Sequence, residues 1–247
     1  MKFLGIIPAR YASSRFPGKP LIDIEGKTMI QRVYEQVKKS TKLNEVVVAT
    51  DDQRIAQTVR SFGGEVVMTA AHHQSGTDRC AEVITNIGGY DVAINIQGDE
   101  PFIDPAQIDL LASCFEDTTT QIATLVKEIT AEEELFNVNI PKVVRNTKGE
   151  AIYFSRQTIP FLRAVEKDQW LHKQTFYKHI GIYAYQVDTL KALTQLPISM
   201  LEEAEALEQL RWLENGYAIQ TAITTHETVA VDTKEDLAKI LRLFFNK

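Results

Sequence analysis

Three cations crowd a short run of small residues: Arg10, Arg15 and Lys19 lie within residues 6–20, IIPARYASSRFPGKP. Residues 1–22 hold four basic side chains, Lys2, Arg10, Arg15 and Lys19, and no acidic one, in a chain whose net charge is -6. Such a local reversal of sign asks for an anionic ligand. Arginine forks bind oxygens two at a time and lysine acts as a point charge, while Ala9, Ala12, Ser13 and Ser14 leave room for a ligand to approach backbone N–H groups. Together they suit a triphosphate, and they suit the charge that develops when pyrophosphate leaves.

Two familiar phosphate motifs are excluded. No G-x-G-x-x-G follows the first apolar run, where Gly5 precedes the loop and Gly18 comes late. The P-loop pattern fails twice: Gly18-Lys19 is followed by Pro20 and has Ser13 where the first glycine belongs, and Gly26-Lys27-Thr28 has Leu21 there. A triphosphate also wants Mg²⁺, which takes carboxylates and water. Asp99, in Gln97-Gly98-Asp99-Glu100-Pro101 at the end of an apolar run, is the best-placed first ligand, and Asp232 in Val231-Asp232-Thr233 occupies a similar strand-to-helix junction.

The elements that must position these groups alternate. Residues 3–7, 45–50, 66–68 and 92–96 are short apolar or β-branched runs that read as buried strands. Between them fall helical patterns: Thr28 with Gln31 at capping spacing, Asp51-Asp52 ahead of Ile55, Ala56 and Val59, and a helix over 77–87; Pro105 opens another. The rhythm implies right-handed crossovers in a parallel sheet, whose ligands sit beyond the carboxyl ends of the strands. The loop after Ile7 and the turn at Asp99 are thus expected to face one crevice.

From residue 122 the pattern changes. Residues 142–145 and 151–154 form an antiparallel hairpin pattern, 176–185 is a strand dense in aromatics, and 163–175 reads as an exposed loop. A helix over about 200–214, a strand over 218–224 and a capped helix from Thr233 complete the chain. The expected fold is α/β: a Rossmann-like, mainly parallel sheet with helices on both faces, in a single domain over 1–247. Residues 127–185 are expected to be partly an antiparallel insertion with an apolar face fit for a dimer contact.

Composition limits the function classes. Hydrophobic content of 44% and charged content of 24% are those of a soluble globular protein. The acidic balance argues against nucleic acid or anionic membrane as partners, and no apolar stretch approaches the roughly 18 residues that span a bilayer. Cys80 and Cys114 have no metal-ligand spacing, which points to a reducing, cytoplasmic location.

Seven blocks in order resemble the 3-deoxy-manno-octulosonate cytidylyltransferases, or CMP-Kdo synthetases: residues 7–20, Ser75-Gly76-Thr77-Asp78-Arg79, Gln97-Gly98-Asp99-Glu100-Pro101, Tyr153-Phe154-Ser155-Arg156, His179-Ile180-Gly181-Ile182-Tyr183, Leu207-Glu208-Gln209-Leu210-Arg211 and Val231-Asp232-Thr233. The resemblance spans nearly the whole chain and implies CTP plus Kdo giving CMP-Kdo and pyrophosphate, with Mg²⁺, in a homodimer serving lipopolysaccharide biosynthesis. Carried over by position, it puts Pro8, Ala9, Arg10, Arg15 and Lys19 on the nucleotide, with Arg10, Lys19 and Asp99 catalytic. It puts Ser75, Gly76 and Arg79 at the cytidine, and Gln97 between nucleotide and sugar. Asp99 and Asp232 are implied as Mg²⁺ ligands, and Arg156, His179, Tyr183, Glu205 and Glu208 as the sugar pocket. Arg156 suits the sugar's carboxylate and the glutamates, one helical turn apart, its hydroxyls. The chain departs from the family at Ala230, where glycine is common. Alternatives are a cytidylyltransferase for an 8-amino Kdo or a sialic-type acid, and a non-catalytic nucleotide-binding regulator.

Overall fold

The computed structural model describes residues 1–12 and 16–245. They gather into two compact units, Met1–Ala112 with Glu227–Lys247, and Ser113–His226. Arg15 lies outside the described residues.

The first unit is built on four parallel strands. β1 (Phe3–Ala9) runs as an apolar chain in which Leu4, Ile6 and Ile7 are wholly buried. Each such side chain contributes about 1.5–3 kcal/mol of apolar burial. A small hairpin, β2 (Asp23–Ile24) and β3 (Lys27–Thr28), leads to α1 (Met29–Val37), whose Thr28 cap accepts from Gln31 N as the spacing predicts. β4 (Glu45–Thr50), α2 (Gln53–Ser61, capped by Asp52), β5 (Val66–Met68), α3 (Gly76–Ile87), β6 (Val92–Asn95) and α4 (Pro105–Ser113) follow. The spatial order is β6-β1-β4-β5, all parallel. The chain therefore steps outward from β1 to β5 and returns to β1's other side, which makes the gap above β1 and β6 a topological switch point. The loop after β1 and the turn at Asp99 do open there.

The second unit is mainly antiparallel. β7 (Ile122–Glu128), α5 (Glu132–Phe136), β8 (Lys142–Arg145), β9 (Ala151–Ser155), α6 (Trp170–Lys173), β10 (Tyr177–Gln186), α7 (Val187–Leu193), α8 (Met200–Glu205), α9 (Gln209–Glu214) and β11 (Ile219–Ile223) succeed one another. β11 pairs β7 in parallel; β7 with β10, β10 with β8 and β8 with β9 are antiparallel. The expected α/β class holds: parallel strands dominate, helices cover them, and an antiparallel region is set into the second half.

Two local expectations are corrected. The helix over about 200–214 is two helices, because Ala206 takes a left-handed backbone at φ 49° and ends α8. Glu205 closes α8 and Glu208 precedes α9, so the two glutamates are not one turn apart on a single helix. The segment 163–175 is not wholly an exposed loop either. Trp170 is 3% exposed and packs with Ile129, Leu135 and Phe176, because an indole must bury its large apolar face.

Candidate functional site

A cavity of about 270 Å³ opens at the switch point, lined by residues of three loops and the C-terminal segment. From the first loop come Pro8, Ala9, Arg10, Lys19 and Pro20; from the entry to α3, His73, Gln74, Ser75, Gly76 and Arg79; from the turn after β6, Gln97, Gly98 and Asp99; and last, Asp232. Every nucleotide-binding and metal residue named from the sequence is here, apart from Arg15, which is not described.

The first loop is folded back by Gly18. Its φ of 73° suits glycine, its N–H donates to Tyr11 O at 2.9 Å, and a Cβ would come within 3.1 Å of the Tyr11 ring. The Arg54 guanidinium stacks on that ring at 3.4 Å from its centroid. So anchored, the chain makes a short 3₁₀ turn, Lys19–Leu21, that starts with the lysine.

Lys19 Nζ reaches Asp99 Oδ2 at 2.6 Å and Asp232 Oδ1 at 3.1 Å. The two carboxylates thus converge on one positive charge. Asp232 arrives because Val231 N donates to Asp99 O at 2.9 Å, and Asp236 accepts from Asp232 N and from Thr233 at the entry to the C-terminal helix, Lys234–Phe245. Ala230, next to this clip, is exposed. Among the described residues no group of three metal-capable side chains exists. Two carboxylates nevertheless fit Mg²⁺, which keeps several waters and completes its shell with substrate phosphate.

Gly98 makes the close approach possible: a Cβ there would lie 2.7 Å from Pro8 O. Gly76 starts α3 beneath Pro8, and Ser75 caps that helix with Asp78 in a reciprocal capping box. The helix's N-terminal amides add partial positive charge to the wall. Arg79 is 4% exposed and holds Thr69 Oγ1 and Asp51, the latter at 3.2 Å, so its guanidinium is fixed by the protein. Beside Asp99, burial pushes the Glu100 carboxyl up to about 7, partly offset by the Thr228 hydroxyl at 2.7 Å.

The residues assigned to the sugar are in the second unit, in two clusters. In one, Glu205 accepts from Ser155 Oγ at 2.6 Å and Arg156 N at 2.8 Å, while Arg156 Nε donates to Glu205 O at 2.6 Å and its Nη2 to Ala206 O at 3.1 Å. The guanidinium therefore caps the carboxyl end of α8, and part of its donor set is engaged by the backbone. In the other, His179 lies between the rings of Phe154 and Tyr183, at centroid distances of 5.3 and 5.2 Å. Residues four apart in a regular strand cannot meet so closely. Here His179 pairs with Val126 and Tyr183 with Thr124, so four steps along β10 match two along β7, and a two-residue bulge around Gly181 folds the rings together. Thr124 Oγ1 donates to Ile182 O at 2.8 Å and so accepts from His179 Nε2 at 3.0 Å. Burial pushes the His179 pKa down to about 4 and the Tyr183 hydroxyl well up, the latter with help from the Glu208 charge.

Sequence reasoning missed His73, Gln74, Pro20 and Gly98 as lining residues. Gly98 stood inside a quoted block, and His73 two residues ahead of another; position next to a block was the available signal.

A parallel sheet with a cation-and-carboxylate cavity at its switch point defines a nucleotide-handling enzyme, and the cytidylyltransferase family model matches residues 4–229. The chain belongs to that family, among the 3-deoxy-manno-octulosonate cytidylyltransferases. It is 60% identical over 252 residues to the 3-deoxy-manno-octulosonate cytidylyltransferase of Parabacteroides distasonis, covering 100% of both chains. It is 61% identical over 241 residues to that of Bacteroides thetaiotaomicron, covering 96% of each. A solved structure of CMP:2-keto-3-deoxy-manno-octonic acid synthetase complexed with CTP is similar at 45% identity and a TM-score of 0.92, over 100% of this chain and 99% of the other. No helix among the described residues is long and apolar enough to cross a membrane.

Proposed function

We propose that the protein transfers the cytidylyl group of CTP to Kdo, giving CMP-Kdo and pyrophosphate for lipopolysaccharide biosynthesis. The observation that carries this is the convergence of Lys19, Asp99 and Asp232 in a cavity whose other walls are the Arg10 loop and the start of α3. The full-length likeness to Kdo-specific relatives selects the acceptor.

In this reading the anomeric hydroxyl oxygen of Kdo attacks the α-phosphorus in line. A new P–O bond forms, the bond to the bridging oxygen of the β-phosphate breaks, and pyrophosphate leaves while the hydroxyl proton passes to solvent. Arg10 and Lys19, with Arg15, hold the phosphates and neutralise the departing charge. Pro8, Ala9, Ser75, Gly76 and Arg79 seat the nucleoside, and Gln97 serves both nucleotide and sugar. Mg²⁺, held by Asp99 and Asp232, would supply further neutralisation of the phosphate oxygens. Arg156, His179, Tyr183, Glu205 and Glu208 bind the sugar acid; the α8 cap takes two of the five guanidinium N–H bonds of Arg156 and Val138 O a third at 3.4 Å, which leaves two for a carboxylate. The protein acts in the cytoplasm as a homodimer, a reading supported by exposed Ile152 and Phe161 in the antiparallel region, 59% and 72% accessible.

The test is pyrophosphate release from CTP, UTP and ATP with Kdo, an 8-amino Kdo and a sialic acid, with and without Mg²⁺. Release from CTP with Kdo is expected to exceed every other pairing. CTP binding without release for any sugar acid would sink the proposal in favour of a non-catalytic binder.

A further inference from the structure

Tyr11, the residue after Arg10, is held at two points. Its backbone oxygen accepts Gly18 N–H at 2.9 Å, and its ring lies under the Arg54 guanidinium, 3.4 Å from the centroid. Arg54 is fixed in turn. Its Nε donates to Asp52 Oδ1 at 3.0 Å and its Nη2 to Asp52 Oδ2 at 2.6 Å, a fork on the residue that caps α2. The fork holds the Asp52 carboxyl below the usual carboxylate range. Asp52 N donates to Thr50 Oγ1 at 3.2 Å, and Thr50 is wholly buried at the end of β4, in register with Ala9 at the end of β1. A continuous set of contacts therefore runs from the sheet through Asp52 and Arg54 to Tyr11 and Gly18.

These contacts bracket the cations of the first loop. Arg10 immediately precedes Tyr11 and Lys19 immediately follows Gly18, so both cavity-lining cations leave from the ends of the held segment. Arg54 itself is not among the residues that line the cavity. Its fork is taken by Asp52 and its face by Tyr11, which leaves it badly placed to grip a phosphate. A loop free to swing would have to be ordered when a triphosphate binds. The affinity would then fall by the fraction of time the cations are out of place.

We infer that Arg54, acting through Tyr11, is a positioning residue that holds the loop of Arg10 and Lys19 ready for a triphosphate. The inference rests on the reading of the cavity as the CTP site.

The experiment is a double-mutant cycle on the full-length protein, with Arg54→Ala, Tyr11→Leu and the two together. Two readouts are taken: calorimetric CTP affinity, and hydrogen exchange of the Gly18 amide without ligand. Each single change should weaken CTP binding about threefold to fivefold, the scale of an exposed cation–π contact. The double change should do no more than either one, because both break the same contact. Gly18 exchange should quicken by a similar factor in all three variants. KM for Kdo should stay within about twofold, and Tyr11→Phe, which keeps the ring, should retain most of the CTP affinity. Thermal melting accompanies each variant; if Tyr11→Leu unfolds, Gly18 exchange in Arg54→Ala and in Arg54→Lys, which keeps a cation for the ring, carries the comparison. Effects that add in the double variant would overturn the inference and make Arg54 a direct phosphate ligand, and native CTP affinity in folded Arg54→Ala would overturn it too. Coupled Gly18 exchange in a protein that binds no CTP would uphold the latch and remove the nucleotide reading instead.

Discussion

Lys19 Nζ lies 2.6 Å from Asp99 Oδ2, joining residues 80 positions apart across the mouth of the sheet. The ammonium sits where the two carboxylates point, so it holds their negative charges together in the protein by itself. In the proposed reaction Lys19 would exchange a carboxylate for a phosphate oxygen. Lys19→Ala is expected to lower kcat by about 10²–10³-fold, the scale of removing one preorganised charge-stabilising donor. Its melting temperature should move little, because the side chain is part-exposed and lies outside the hydrophobic core. Asp99→Asn should instead shift the Mg²⁺ titration to higher concentration; an unaltered metal dependence would remove Asp99 from the metal site.

Gly98 fixes how near the two loops can come. A methyl at that position would press on Pro8 O at 2.7 Å, a contact that demands movement of backbone. Gly98→Ala is therefore expected to cost about 1–3 kcal/mol in stability, the usual range for overpacking, and to weaken CTP binding more than tenfold. Denaturant unfolding and calorimetry check both, and a variant with normal CTP affinity would show that the loops have slack.

The Glu205 carboxylate organises the end of β9. It accepts from Ser155 Oγ and Arg156 N, and its own backbone oxygen receives Arg156 Nε. Glu205→Ala leaves Ser155 Oγ and the Arg156 backbone N–H without their acceptor, and it should raise KM for Kdo about tenfold with KM for CTP unchanged. Equal effects on both substrates would mean general loss of structure rather than loss of a sugar contact.

Burial sets a pH dependence through His179. Its pKa is about 4 in the folded protein against about 6.5 in an unfolded chain, so the unfolded state binds the extra proton between these values. The stabilisation is fully present above about pH 6.5 and is lost as pH falls toward 4, amounting to about 2 kcal/mol by pH 5. Urea midpoints at pH 7 and pH 5 should differ more for the native protein than for His179→Gln. A matching pH response in the two would show that the imidazole titrates normally.

The C-terminal helix carries Asp232 to the site, and it is held by aromatic contacts at its far end. Phe244 stacks on Phe102 at 3.9 Å, and Arg32 lies over Phe245 at 4.9 Å. The double change Phe244→Ala with Phe245→Ala should loosen the helix and weaken Mg²⁺-dependent turnover while CTP binding persists. Normal turnover would show that the backbone bond from Val231 to Asp99 is sufficient.

The sequence alone determined the features written in short windows. The apolar run of β1 and the caps at Thr28 and Asp52 were legible because each depends on neighbours within a turn or a strand. The parallel order of the first half followed from strands alternating with helices, and the ordered blocks gave the family. What only the tertiary structure decided involves distant partners or departures from regular geometry. Asp232 joins Lys19 across 213 positions through one backbone bond to Asp99, a closure that no local pattern announces. The left-handed turn at Ala206 divides a segment of uninterrupted helical propensity, where Arg156, just past β9, takes the carbonyls of Glu205 and Ala206. The bulge in β10 brings His179 to Tyr183, and Arg54 reaches Tyr11 from the start of α2. Loop closure and side-chain pairing at long range carry those choices, and their energies are absent from any window of the chain.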